Sequence, residues 1–167
     1  MRFDPKNTLI LVALEEELPN EMIPSWNVAY TGVGKVNAAL KGSEYVARYK
    51  PMNLINFGTA GALNPELSGL LEVTQFFQRD MDARDMGFAL GQTPFEEAPD
   101  YSAQRHGLSC GTGDSFVTAP PELQTDLVDM EAFALAKLAQ VARIHFLVLN
   151  TFQTKQMKNH RAPGKII

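Results

Sequence analysis

Short continuous apolar runs, each ending in small or acidic residues, set the rhythm of this chain. The first, Thr8-Leu9-Ile10-Leu11-Val12-Ala13-Leu14, runs directly into Glu15-Glu16-Glu17. A run of this kind reads as a central strand buried on both faces, delivering three carboxylates to its carboxyl end. Three adjacent acids on an open loop form a solvated patch; placed directly after a buried strand, at least one of them is expected in a pocket. A compact connection from Pro19 to Pro24 leads to a second short strand, Trp26 to Tyr30. Thr31-Gly32-Val33-Gly34-Lys35 then opens a helix whose apolar positions Val36, Ala39, Leu40, Val46 and Ala47, with Ser43, fall on one face, the mark of an amphipathic helix.

The pattern repeats further on. Asn53 to Phe57 reads as a buried strand followed by the small-residue turn Gly58-Thr59-Ala60-Gly61-Ala62-Leu63. Two such turns at strand ends imply one shared crevice where a ligand meets bare backbone. Leu71 to Arg79 is a strand, Asp80 to Gly91 a polar loop, and Thr93 to Arg105 a loop containing Pro94 and Pro99. Strand character resumes over Gly107 to Val117, and Leu127 to Asp129 leads into an Ala-rich helical pattern that precedes the run His145 to Leu149. The alternation predicts a single α/β domain over residues 1–149. Its core is a central twisted sheet, largely parallel or mixed, flanked by helices. Residues 150–167 form an atypical tail.

Charge changes this picture in one respect. All 19 acids lie between Met1 and Glu131, whereas residues 132–167 hold six bases and no acid. Four basic residues from Lys155 to Lys165, with no aromatic after Phe152, make a weak footprint for nucleic acid or acidic lipid, so neither partner is expected. The lone cysteine, Cys110, is read as a small core residue. No signal peptide and no continuous 18-residue apolar run is present, which makes a cytoplasmic protein the expectation, and no metal-ligand spacing occurs. No metal and no cofactor are expected.

The stretch Leu127-Val128-Asp129-Met130-Glu131-Ala132 is the natural ligand site, because it brings two carboxylates to the junction of a strand and a helix. The alternative is that Asp129 and Glu131 serve only as a helix cap and a first-turn acid. The glycine loop at 31–37 is not a phosphate loop. Walker A needs glycine at Ala29 and Ser or Thr at Val36, and the dinucleotide fingerprint needs Gly or Ala at Asn37.

Five strings, in order, carry a resemblance: "ALEEEL" (13–18), "TGVGKVNAA" (31–39), "NFGTAGAL" (56–63), "GTGDSFV" (111–117) and "VDMEAFALA" (128–136). Together they resemble the nucleoside phosphorylase superfamily, and within it the methylthioadenosine/S-adenosylhomocysteine nucleosidases. "RDMDAR" (79–84) and "GFALGQTPFE" (87–96) resemble a loosely assigned bacterial subgroup. The resemblance implies hydrolysis of a purine nucleoside to adenine and a ribose derivative, a place in methionine salvage, and a homodimer. It implies Glu17 as the base that activates water and Thr59 as a hydroxyl near the ribose. Phe116 and Val117 would hold the purine, with Met130 against the ribose and Glu131 accepting from its vicinal hydroxyls. Asp114 is expected to brace its loop. Phosphorolysis fits less well, since Glu15, Glu16, Glu17 and Glu131 would repel a phosphate dianion.

The resemblance fails at one place. After the strand ending at Leu149 the family continues with a basic residue and then a Ser-Asp or Thr-Asp pair, whose Asp protonates the departing adenine. Here Asn150 stands for the basic residue and Thr154 for the Asp. Threonine cannot serve as that acid near neutral pH, so impaired catalysis, or a nucleoside-binding remnant without turnover, is expected. Degenerate codons for Asn150 to Met157, read one base earlier, permit Lys-Tyr-Ile-Ser-Asp-Glu-Ala-Asp. Residues after about Leu149 are accordingly expected to be out of frame.

Overall fold

The computed structural model describes residues 3–96, 100–102 and 107–152, except for the side chains of 100–102 and 152. Eight strands form one mixed sheet. β1 (Thr8–Val12) is buried along its whole length, as its unbroken apolar run requires, and lies parallel between β2 (Asn27–Tyr30) and β3 (Asn53–Ala62). β8 (His145–Phe152) runs parallel to the other side of β3, pairing Asn53 with His145 and Ala60 with Phe152. Its far edge pairs antiparallel with β4 (Leu70–Gln78), which also pairs with β5 (Asp100–Ser102) and, in parallel, with β6 (Leu108–Thr112). β7 (Leu127–Asp129) lies parallel to β6 and returns antiparallel to the end of β3, where Gly61 faces Val128. The pairings β3–β8–β4–β6–β7–β3 thus close a ring.

Among the described residues, two helices cover one side. α2 (Ala132–Ala142) is the central packing element: Phe133 and Ala136 join Val73, Phe76, Cys110, Leu127 and Val148, while Leu135 and Ala139 join Leu9, Leu11 and Leu54. Fully burying each such Leu or Phe stabilises the fold by about 1.5–3 kcal/mol. Cys110 is completely buried, and burial pushes its thiol well above the ordinary range, as suits a core residue. On the opposite side of the sheet, Ile10, Val12 and Ile55 pack with Trp26, Tyr30 and Leu147.

α1 (Lys35–Tyr49) departs from the expected amphipathic pattern. Its buried residues are Ala38 and Gly42, with Tyr45 and Val46 packed beside them, whereas Val36 and Leu40 are 74% and 67% exposed. The reason is the close approach of α2: a Cβ on Gly42 would lie 2.9 Å from Leu138 Cδ2 and 3.0 Å from Leu135 Cδ2. Small residues, not the apolar stripe, make that contact. β6 also stops at Thr112, so the expected strand from Gly107 to Val117 is a strand followed by a loop. The expected loop from Thr93 to Arg105 contains β5, with 97–99 and 103–106 outside the described residues. β8 runs three residues past Leu149; Thr154 and the rest of the tail from 153 lie outside the described residues.

Replacing Gly42 with Leu should lower stability by about 1–3 kcal/mol through overpacking between the helices, measured by urea unfolding. An unchanged midpoint would mean that α1 and α2 do not meet through Gly42.

Candidate active site

The parallel strands β1, β3 and β8 end on the same side of the sheet, and the candidate carboxylate Glu17 lies there with Thr59 and Asn150. After β1 the chain tightens into a 3₁₀ turn, Glu15–Glu17. Glu15 and Glu16 point to solvent, while Glu17 folds back. Its Oε2 accepts from the Leu14 N–H at 3.2 Å, and its Oε1 accepts from both the N–H (2.9 Å) and the hydroxyl (2.7 Å) of Thr59 on β3. Three donors therefore fix the orientation of one carboxylate. Two residues expected near each other are brought together by direct hydrogen bonds.

Glycine matters at the next position inward. A Cβ on Gly58 would lie 3.7 Å from Glu17 Oε1 and 3.9 Å from Asn150 Oδ1, so these two side chains overlook the same bare stretch of backbone. Asn150 is the cross-strand partner of Gly58, is only 2% exposed, and its Nδ2 has no hydrogen-bond partner among the described residues. Sequence reasoning treated Asn150 only as a lost basic residue. Its in-register pairing with Gly58 is what puts it beside Glu17.

The second carboxylate comes from the start of α2. Asp129 is buried and acts as the cap: its Oδ2 accepts from the N–H groups of Glu131 (3.2 Å) and Ala132 (2.7 Å), and its Oδ1 from the Thr112 hydroxyl at 2.5 Å. Glu131 is thereby free of the helix end and reaches α1, where its Oε1 accepts from the Gly34 N–H at 2.7 Å. Gly34 has φ +95°, a conformation strained for any residue with a Cβ, and this turns its N–H toward Glu131. Burial, with the charges of Asp129 and Glu17, raises the Glu131 carboxyl to about 7 despite that bond. Met130 is half-buried between the two acids.

Asp114 does brace its loop: it accepts from the Lys35 N–H at 2.7 Å at the start of α1. Phe116 is 88% exposed and Val117 half-buried, both on the loop after β6. Of the candidate residues, the two carboxylates are tightly bonded, whereas Phe116 protrudes into solvent.

The family model of the phosphorylase superfamily matches residues 26–110. The chain belongs to this superfamily. Within the phosphorylase superfamily it is 31% identical to 5′-methylthioadenosine/S-adenosylhomocysteine nucleosidase from Geobacillus thermodenitrificans, over 71% of this chain and 62% of that protein. It is 30% identical to the enzyme of the same name from Marinomonas, over 72% of this chain and 64% of that one. The chain therefore spans less than two thirds of the length of these curated relatives. Aminodeoxyfutalosine nucleosidase from Campylobacter jejuni is 26% identical, over 77% and 67% of the two chains. A crystal structure of Campylobacter jejuni 5′-methylthioadenosine/S-adenosylhomocysteine nucleosidase superposes with a TM-score of 0.80 at 21% identity, covering 94% of this chain and 89% of that one. That superposition confirms the mixed α/β superfamily fold.

The raised carboxyl of Glu131 has a measurable consequence. In the folded state it favours the neutral form, so its contribution to stability is fully present below its ordinary value of 4.5 and is lost as pH rises through about 7. Glu131→Gln should therefore raise the melting temperature relative to the unaltered protein at pH 8, with the difference shrinking to nothing at pH 4. A difference independent of pH would show that Glu131 does not titrate in this range.

Proposed function

We propose that this protein binds a purine nucleoside of the methylthioadenosine or adenosylhomocysteine type and hydrolyses its N-glycosidic bond. The observation that carries the reading is the pair of differently held carboxylates. Glu17 is locked by Leu14 and Thr59 at the end of β1, and Glu131 is held by the Gly34 N–H across the same mouth. The names of the relatives support the same chemistry for this chain.

In this reading Glu17 takes the proton from an attacking water. Three of its lone-pair directions are occupied by donors, which leaves Oε2 able to accept once more and fixes where that water must stand. Thr59, with its hydroxyl on Glu17, lies near the reacting carbon. Glu131, when ionised, accepts from the vicinal ribose hydroxyls, Met130 packs against the sugar, and Phe116 and Val117 hold the purine. Cleavage passes through a cationic, oxocarbenium-like sugar, which the two carboxylates stabilise electrostatically. A phosphate nucleophile would meet Glu17 and Glu131 instead, which argues against phosphorolysis.

Thr154 supports a second reading, a nucleoside-binding remnant. With threonine in the place of the acid that protonates the leaving base, a factor of about 10² to 10⁴ in rate is forfeited. The two readings share a pocket and differ in turnover.

We further propose a homodimer in the cytoplasm. α1 and α2 leave a groove of about 480 Å³ between them, bordered by the exposed Val36 and Val141. A contiguous apolar surface of this kind is a usual interaction site, and a second copy is its proposed cover.

Incubation with methylthioadenosine, with and without phosphate, tests the chemistry. Adenine should appear without phosphate, slowly; phosphate dependence would sink the hydrolytic reading, and binding with no adenine would leave the remnant. Glu17→Gln should abolish turnover while nucleoside binding persists, and Thr154→Asp should raise turnover by about 10² to 10⁴. By sedimentation the protein should be dimeric and Val141→Glu monomeric; a monomeric unaltered protein would remove the dimer.

A further inference from the structure

The segment that opens with Arg79 and Asp80 plays no part in the proposed chemistry, yet it grips the loop that presents the base-binding residues. The Arg79 N–H donates to the Thr112 carbonyl at 2.9 Å, seating the residue against the end of β6. Its guanidinium then lies along the following loop: Nη2 donates to the carbonyls of Gly113 (3.1 Å) and Ser115, and Nη1 to the Ser115 hydroxyl at 3.4 Å. Gly113 is what permits this, since a Cβ there would lie 2.7 Å from Arg79 Cζ. Asp80 holds the residue between, accepting from the Asp114 N–H at 2.9 Å, and ties the assembly to α1 by accepting from Lys35 Nζ at 2.5 Å. Gly113, Asp114 and Ser115 are thus each held by this dipeptide. Phe116, the next residue, is 88% exposed and cannot fix its own place by packing.

We infer that Arg79 is a positioning residue for base recognition: its guanidinium sets the path of Gly113 to Ser115 and so aims the Phe116 ring and the Val117 backbone at the purine. This inference rests on the nucleoside reading proposed above. Arg79 touches no substrate in this scheme. The planar fork is essential, because two carbonyls and a hydroxyl are met at once from one rigid group; a lysine ammonium on a flexible stem reproduces the charge without the geometry.

The test is the dissociation constant for adenine, measured by titration calorimetry, together with the urea unfolding midpoint. Arg79→Ala should weaken adenine binding by roughly tenfold or more, the scale of a lost charge-assisted hydrogen-bond set. Arg79→Lys should recover only part of it. Gly113→Ala, which leaves the arginine present but wedges a methyl group against it, should reproduce the loss and keeps the test open if Arg79→Ala folds poorly. Arg84→Ala, which removes a surface guanidinium bonded to Asp82 and Glu122, should change nothing. A brace serving folding alone would lower the unfolding midpoint and leave the adenine affinity of the folded protein intact, and that result in Arg79→Ala or Gly113→Ala overturns the inference. If the unaltered protein binds neither adenine nor methylthioadenosine, the nucleoside reading itself fails and takes this inference with it.

Discussion

The geometry of the crevice hangs on how one buried carboxylate, Asp129, is satisfied. An ionised carboxylate taken out of water costs several kcal/mol unless donors replace its hydration. Here they come from the Thr112 hydroxyl and from the first N–H groups of α2, which also carry the positive end of the helix dipole. Thr112 completes the corner by accepting from the Phe133 N–H at 2.9 Å. β6, β7 and the first turn of α2 are therefore locked at one point. The two chain segments leaving that point both supply proposed ligand contacts: Glu131 on the helix side, and the loop carrying Phe116 on the strand side. Because Asp129 has taken the capping duty, Glu131 is left to reach across to Gly34.

What the sequence disclosed was local. A buried strand ending in three acids and an acid pair at a strand-to-helix junction are each written in ten or fewer consecutive residues, and each lies where its pattern placed it; the small-residue turn expected from Gly58 to Leu63 does not, because β3 continues through it to Ala62. The choice between cap and ligand for Asp129 and Glu131 could not be read that way; in the structure the Asp129 side chain accepts from the first N–H groups of α2 and the Glu131 side chain does not. The misread face of α1 has a different cause. Hydrophobic periodicity reports which stripe is apolar, but burial followed the shape of α2, and Gly42 carries no hydrophobic signal. Asn150 and Arg79 were missed because their meaning is entirely tertiary. One acquires it from register with Gly58 on another strand, the other from a loop more than thirty residues away. A glycine pressed against an arginine, as at Gly113, leaves no trace in the sequence that distinguishes it from an ordinary turn.

The electrostatics of the mouth explain why the proposed defect would be confined to one half of the reaction. Glu17 and Asp129 both push the Glu131 carboxyl upward, so the site without ligand holds negative charge under repulsion. A sugar that becomes cationic relieves that repulsion, and an interaction stronger in the transition state than in the ground state is the kind that accelerates a reaction. Where the resemblance puts a basic residue, Asn150 is neutral, so no compensating charge enters beside Glu17 at this position. The departing base of the proposed reaction is a separate matter: it needs a proton, and a threonine, which the resemblance puts in the place of the acid, cannot supply one at neutral pH. The sugar half of the proposed chemistry depends on Glu17, Thr59 and Glu131, whose framework is fixed by Asp129 and Gly34. In the proposed chemistry, stabilisation of the sugar and activation of the leaving group are thus separable, and only the second would be compromised.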